Sequence, residues 1–218
     1  MSTTILLFGL ERTGTSVTRR MLQDHWPCAV NVESRAWKHG PYAGHRVADG
    51  LSDAPVVVTV RHPLSRALSV WEMQRDRGAT DKSLKEWLRY GSKVVPWALR
   101  GWCFAYGYWR ERVHRWWQES ERPATVIGLE DLLENPQREL RSLGLYLGLG
   151  KPGDVEPPED YVAPQFGPRD GGFADARRRL VEQEAWRHAY GPHLLREAWL
   201  SLDLDLCAAY GYEPRMEL

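Results

Sequence analysis

A glycine-bearing loop near the start of the chain constrains the fold more than any other stretch. The apolar run of residues 5–8 leads into the loop from Gly9 to Ser16, and a helical pattern continues from there to Leu22. A strand, a glycine loop and a helix start in this order direct backbone N–H groups and the positive end of the helix dipole at one point. The segment therefore predicts a phosphate cradle after the first strand.

The loop has the glycine spacing of a P-loop without its lysine. Four residues separate Gly9 from Gly14, and Thr15 stands where a P-loop carries lysine. Arg12 is the only cation among residues 9–16. The loop is thus suited to an anion, and an ordinary strand-to-helix turn is the alternative interpretation.

Two further β-rich runs, with helical patterns around them, predict an α/β fold. Residues 55–60 form a β-branched run without polar alternation, as in a strand covered on both faces, and residues 124–129 form another strand. Helical patterns lie at residues 65–75, 83–88, 96–117, 130–133 and 136–147, and residues 150–172 form a long irregular loop. Strand followed by helix, repeated, predicts a three-layer fold with a central, mainly parallel sheet flanked by helices.

Length and composition set further expectations. The 218 residues suffice for a single domain over residues 1–218. No run of about 18 apolar residues is present, and no basic stretch precedes the first strand, so we expect a cytoplasmic protein without a membrane span. The net charge of zero argues against nucleic acid as a partner. The three cysteines lack paired metal spacing, so neither a metal site nor a disulfide is expected.

A second candidate anion site follows the second strand. Arg61 comes directly after this strand, and Ser69 lies eight residues later on the next predicted helix. Both are expected at the carboxyl edge of the sheet, where open α/β folds bind ligands. Two anion sites at neighbouring strand ends fit a ligand with two separated phosphate groups, that is, a nucleotide bisphosphate.

These motifs resemble those of the sulfotransferases that use 3′-phosphoadenosine 5′-phosphosulfate (PAPS), most closely the small bacterial and tyrosylprotein branches. Residues 12–16 are similar to the 5′-phosphosulfate loop of that family, and Arg61-x-Pro-x-x-Arg66-x-x-Ser69 is similar to its 3′-phosphate motif. Residues 129–136 and 209–212 add to the resemblance. It implies a P-loop-type fold and the transfer of a sulfuryl group from PAPS to a hydroxyl. His62 stands where the family commonly has aspartate, and we expect it to loosen the local helix cap.

The resemblance also implies roles for individual residues. Charge on the leaving 5′-phosphate is expected to be neutralised without a metal, by Arg12, by the backbone N–H groups of Thr13, Gly14 and Thr15, and by the hydroxyls of Thr15 and Ser16. Lys38 would be a second cation, near the bridging or sulfuryl oxygens. The 5′-binding residues are Arg12, Thr13, Gly14, Thr15 and Ser16, and the 3′-binding residues are Arg61, Ser69, Arg169 and Gly171.

Two residues compete for the role of general base. Glu33-Ser34-Arg35 matches the Glu-x-Arg triplet of the tyrosylprotein branch, 21 residues beyond Arg12, and we favour Glu33. His39 is the rival, because the cytosolic enzymes use a histidine and its ordinary pKa is already near 6.5. In a third interpretation neither is the base, and Glu33 pairs with Arg35.

Two other functions are compatible with the same motifs. A P-loop small-molecule kinase would share the fold, but the loop lacks lysine and no apolar run ends in an aspartate for Mg²⁺. A non-catalytic nucleotide-binding member of the family is the second alternative. The acceptor is a hydroxyl on a small molecule, glycan or peptide, and the aromatic residues of 90–117 favour an apolar or aromatic one. We expect a monomer or a dimer.

Overall fold

The protein is seen in a computed structural model that describes residues 3–9, 12–31, 53–90, 124–158, 172–200, 202 and 204–213. The described elements are, in chain order, β1 (Thr3–Gly9), α1 (Thr15–His25), β2 (Cys28–Asn31), β3 (Val56–Val60), α2 (Pro63–Asp76), α3 (Leu84–Tyr90), β4 (Ala124–Gly128), α4 (Leu129–Glu134), α5 (Pro136–Tyr146), α6 (Phe173–Arg177), a π-helical turn (Arg178–Glu182), α7 (Ala185–Leu200) and α8 (Leu204–Ala209).

The chain divides into two compact units. Unit 1 comprises Met1–Arg61 and Trp116–Gln183, and unit 2 comprises His62–Arg115 and Glu184–Leu218. The interpretation of residues 1–218 as a single domain stays a prediction. No helix of the described segments is long and apolar enough to cross a membrane.

Unit 1 contains a sheet of four parallel strands in the order β2-β1-β3-β4. Strand β1 pairs with β3 from Leu6 opposite Val56 to Gly9 opposite Thr59. Strand β3 pairs with β4 as far as Val60 opposite Gly128. The α/β fold class is thereby confirmed, and the carboxyl ends of β1, β3 and β4 meet at one edge of the sheet.

The sequence predicted the three long strands but not β2. Strand β3 is buried along its whole length, as the unbroken β-branched run indicated. Strand β2 has only four residues, too few to show a periodic pattern. The helix predicted over residues 96–117 lies outside the described residues, while residues 149–158 contain neither helix nor strand, as expected there.

The core of unit 1 lies between the sheet and the helices α1, α4 and α5. The buried face of α1 presents Val17, Met21 and Leu22 at helical spacing toward Ile5 and Leu7 of β1. Leucines of α4 and α5 complete the same cluster, namely Leu129, Leu132, Leu133, Leu140 and Leu143. Helix α1 is thus fixed on the sheet. It follows the loop from Gly9 to Ser16, which we call the phosphate loop after its predicted ligand.

Two aromatic side chains of unit 2 join its helices through hydrogen bonds from their polar atoms. Tyr190 of α7 donates its hydroxyl to the carbonyl of Leu64 in α2, at 2.8 Å. The indole N–H of Trp87 in α3 donates to Gln74 of α2, also at 2.8 Å. Such side chains combine a large buried apolar surface with a satisfied polar tip, so they fix α3 and α7 on α2.

His62 caps helix α2 and takes part in an aromatic cluster. Its Nδ1 accepts a hydrogen bond from the backbone N–H of Ser65 at 3.4 Å. Its ring stacks on Trp186 with centroids 4.2 Å apart, and Trp199 and Tyr212 meet it edge-on at 5.2 and 5.3 Å. The cap bond is long, as expected for histidine in place of aspartate. The ring contacts were not foreseen, because their partners come from the other end of the chain.

We expect His62→Ala to lower the free energy of unfolding by about 2 kcal/mol, because the cap and the ring contacts are lost together. His62→Asp keeps a capping oxygen and loses the ring, so about half of that loss is expected. Urea unfolding followed by circular dichroism measures both. Wild-type stability in His62→Ala would show that neither the cap nor the ring contacts stabilise the protein.

Candidate functional site

The candidate site lies at the carboxyl edge of the sheet, where β1 and β3 end side by side. The phosphate loop follows β1, and Arg61 follows β3. Because Gly9 lies opposite Thr59, Arg61 extends from the neighbouring strand alongside the loop. The pairing of the two strands therefore brings together the two motifs that the sequence identified separately.

The backbone of the loop turns through left-handed conformations. Arg12 has φ 70° and Gly14 has φ 92°. A left-handed conformation is ordinary for glycine but uncommon for an arginine, and such residues cluster at functional sites. A side chain at Gly14 would be doubly unfavourable, because its Cβ would lie 2.7 Å from Cδ1 of Leu129. The start of α4 thus packs against the loop.

The loop leads into a helix start that suits an anion. Gly14 is the N-cap residue of α1, and its carbonyl accepts the first helical hydrogen bond from Thr18, at 3.0 Å. Within the described part of the chain no side chain caps this helix, and its first turn contains no acidic residue. The positive end of the helix dipole is therefore not offset by a carboxylate of that turn.

Three threonines, Thr13, Thr15 and Thr59, surround Gly9, and we call them the threonine cluster. A Cβ on Gly9 would collide with Oγ1 of Thr59 and would lie 2.6 Å from Oγ1 of Thr13 and 2.8 Å from Cγ2 of Thr15. All three threonines are buried. The first glycine of the loop is therefore required because the threonine cluster occupies the space of a side chain.

Two hydrogen bonds involve the hydroxyls of the threonine cluster. Thr59 Oγ1 donates to the carbonyl of Phe8 at 3.3 Å, and it lies 2.8 Å from Thr13 Oγ1, where either hydroxyl can be the donor. The hydroxyl of Thr13 is thus engaged inside the cluster, whereas the group of Thr13 assigned to anion binding is its backbone N–H.

Arg61 connects β3 to the loop. Its side chain is buried, with 6% of the residue exposed, and its Nη1 donates to the carbonyl of Arg12 at 3.1 Å. A guanidinium carries five N–H donors in a planar fork, so this contact is compatible with binding an anion as well. The guanidinium also places a positive charge beside the loop.

The end of β4 has a different character. Burial raises the pKa of Asp131, and the nearby carboxylate of Glu139 adds to this, while Arg138 at 3.7 Å opposes it. The carboxylate of Asp131 folds back over Gly128, the last residue of β4. Asp131 thus belongs to the junction of β4, α4 and α5. Its neighbour Glu130 lies in the first turn of α4.

The remaining predicted residues fall into three groups. Thr15 and Ser16 form the first turn of α1, as expected. Ser69 lies on α2 in unit 2 and is buried, and its convergence with Arg61 on one phosphate stays a prediction. The others lie outside the described residues, namely Glu33, Lys38, His39, Arg169 and Gly171.

The sequence analysis missed Thr59. It is the only polar residue of β3, and it stands two positions before Arg61 in Val-Val-Val-Thr-Val. That isolated hydroxyl was the available signal. Among the residues described, no three His, Cys, Asp or Glu side chains are grouped so as to hold a metal ion.

The fold and this edge of the sheet define an α/β protein of the P-loop type. A family model described as "Sulfotransferase domain" matches residues 31–162. Because the match spans more than half of the chain, the protein belongs to the sulfotransferase family, whose members transfer sulfuryl groups. A comparison with curated proteins returned no match. The matched segment contains Arg61 and Ser69, and the phosphate loop precedes it.

Gly9→Ala tests the threonine cluster. We expect the added methyl group to displace Thr13 and Thr59, to lower the free energy of unfolding by about 1–3 kcal/mol, and to weaken binding of adenosine 3′,5′-bisphosphate at least about tenfold. Differential scanning calorimetry and isothermal titration measure the two effects. Gly153→Ala is the matched control, because a Cβ there meets no atom within 4 Å. Unchanged stability and binding in Gly9→Ala would contradict this account of the site.

Proposed function

We propose that this sulfotransferase takes its sulfuryl group from PAPS and transfers it to a hydroxyl acceptor. One observation carries the proposal beyond the family assignment: Arg61 Nη1 donates to the carbonyl of Arg12 at 3.1 Å. The 5′-phosphosulfate loop and the 3′-phosphate arginine suggested by the sequence are thus in direct contact. One nucleotide with two anionic groups could therefore reach both the loop and the arginine.

The described residues fit a donor of this kind. The cradle at Gly9 and Gly14 leaves no room for a Cβ, the start of α1 has no acidic residue in its first turn, and Arg61 supplies a buried positive charge. The helix start and the buried charge favour an anion over a neutral ligand. The residues proposed to hold the donor are Arg12, Thr13, Gly14, Thr15, Ser16, Arg61, Ser69, Arg169 and Gly171.

When bound, PAPS supplies the sulfuryl group and a phosphate leaving group. We assign to Arg12 and the helix-start N–H groups the neutralisation of charge at the leaving oxygen, and to Lys38 that of charge at the sulfuryl oxygens. Glu33 takes the proton of the acceptor hydroxyl, with His39 as the alternative base. No metal ion is part of the proposal, because fixed cations and helix-start donors provide the required positive charge.

Other properties are proposed from the sequence alone. They are a cytoplasmic location, a monomeric or dimeric state, no nucleic acid partner, and an acceptor that is a small molecule, a glycan or a peptide. The two alternative functions remain a small-molecule kinase and a non-catalytic nucleotide-binding protein. The family match favours the sulfotransferase over the kinase.

Titration with adenosine 3′,5′-bisphosphate in the absence of Mg²⁺ tests the donor site. We expect micromolar binding, weak binding of ATP, and a loss of about 10- to 100-fold in Arg61→Ala, the range expected for charge-assisted hydrogen bonds. Arg20→Ala is the control, since Arg20 is an exposed arginine of α1 paired with Asp24. Tight, Mg²⁺-dependent binding of ATP that ignores Arg61→Ala would support the kinase instead.

Turnover of PAPS with a panel of phenols and alcohols tests the base. Glu33→Gln should lower kcat by about 100- to 10,000-fold, the usual contribution of general acid–base catalysis, and should leave the affinity for adenosine 3′,5′-bisphosphate unchanged. His39→Asn should change kcat by less than about fivefold. The reverse pattern would make His39 the base. Wild-type protein that binds the bisphosphate tightly but turns over no acceptor in the panel would favour the non-catalytic alternative.

A further inference from the structure

Thr59 has a hydroxyl at a buried position of β3 where a valine would also fit. The other four residues of β3 are valines, and Thr59 is as buried as they are, with 1% of the residue exposed. Burying a hydroxyl is unfavourable unless it is hydrogen-bonded, and valine has nearly the same shape. The hydroxyl is therefore best explained by the groups that it contacts.

Those groups belong to the phosphate loop and to the strand before it. The hydroxyls of Thr13 and Thr59 are hydrogen-bonded at 2.8 Å, and Thr59 donates to the carbonyl of Phe8 at 3.3 Å. One hydroxyl of β3 thus joins a residue inside the loop to a residue at the end of β1. The sequence separation is 46 residues for the first bond and 51 for the second, so no local turn could provide this connection.

Thr59 and Arg61 act on consecutive residues of the loop. Thr59 lies in β3 and Arg61 directly follows that strand, two positions later, so they extend from the same side. Thr59 bonds to the side chain of Thr13, while Arg61 bonds to the carbonyl of Arg12. Between them they hold the left-handed turn that begins at Arg12, whose φ of 70° is unfavourable for a residue with a side chain.

We infer that Thr59 is a positioning residue for the sulfuryl-transfer site, which fixes the phosphate loop through Thr13 in the shape that binds an anion. The inference rests on the proposed function only for the identity of that anion. Thr59 itself contacts no ligand in this scheme. The bond from Thr59 restricts the loop before any anion binds, so less conformational entropy is lost on binding. Preorganised donors bind more tightly than mobile ones.

The test compares Thr59→Val and Thr59→Ser, with adenosine 3′,5′-bisphosphate and inorganic pyrophosphate as the probes. We expect Thr59→Val to weaken both ligands about tenfold and Thr59→Ser to remain within about twofold of the wild type, because only the hydroxyl matters. Thr125→Val is the control, a threonine of β4 in the same sheet, and it should bind both ligands like the wild type. Melting temperatures measured alongside show whether each variant is folded.

The double variant Thr13→Val/Thr59→Val separates positioning from a general packing effect. Thr59→Val removes one hydrogen bond of the buried Thr13 hydroxyl, whereas the double variant replaces both hydroxyls with apolar groups of the same shape and should recover stability. Affinity should stay about tenfold low, since the bond that holds the loop is still missing. Recovery of affinity together with stability would overturn the inference.

The remaining outcomes are also decisive. Wild-type affinity in Thr59→Val would overturn the inference. If Thr59→Val does not fold, Thr13→Val removes the same bond from the loop side, and its affinity decides in the same way. Wild-type protein that binds pyrophosphate but not the bisphosphate would refute the PAPS proposal alone, and the variants would then be judged on pyrophosphate. Wild-type protein that binds neither ligand would overturn both.

Discussion

The parallel pairing of β1 with β3 is the constraint on which the candidate site depends. It sets Gly9 opposite Thr59, and so brings the hydroxyl of Thr59 against the loop and Arg61 against the carbonyl of Arg12. A slip of one residue in this pairing would turn the side chains of Thr59 and Arg61 to the other face of the sheet. The valine run of β3 prevents such a slip only weakly, since it is apolar on both faces. The specific contacts of Thr59 and Arg61 therefore help to define the register.

The two contacts from β3 differ in what they contribute. The hydroxyl of Thr59 is neutral and acts through geometry, because it fixes the position of Thr13. Arg61 adds charge as well, since its buried guanidinium is held beside a backbone that already presents a helix N-terminus. A charge-assisted hydrogen bond from this guanidinium would strengthen the binding of an anion at this edge. Thr59 thus fixes the shape of the loop and Arg61 adds charge, from two positions near the end of β3.

The sequence predicts the frame of this protein better than its contacts. The β-branched run predicted β3, and the glycine loop predicted the start of α1, because both signals are local. Strand β2 was missed because four residues carry no pattern. Thr59 looked like any β-branched residue of a strand. Its role follows only from the strand pairing that brings it to Thr13, 46 positions away in the sequence. The aromatic partners of His62 were hidden for the same reason.

The family match and the geometry of the loop are independent observations, and one hydrogen bond connects the parts of the chain that they concern. The match begins at residue 31, so it says nothing of the loop from Gly9 to Ser16. The loop by itself, a glycine turn before a helix, is a common feature of α/β proteins. Arg61 lies inside the matched segment and bonds to Arg12 in the loop. Because that bond places the loop beside a residue of the sulfotransferase domain, both belong to one candidate site.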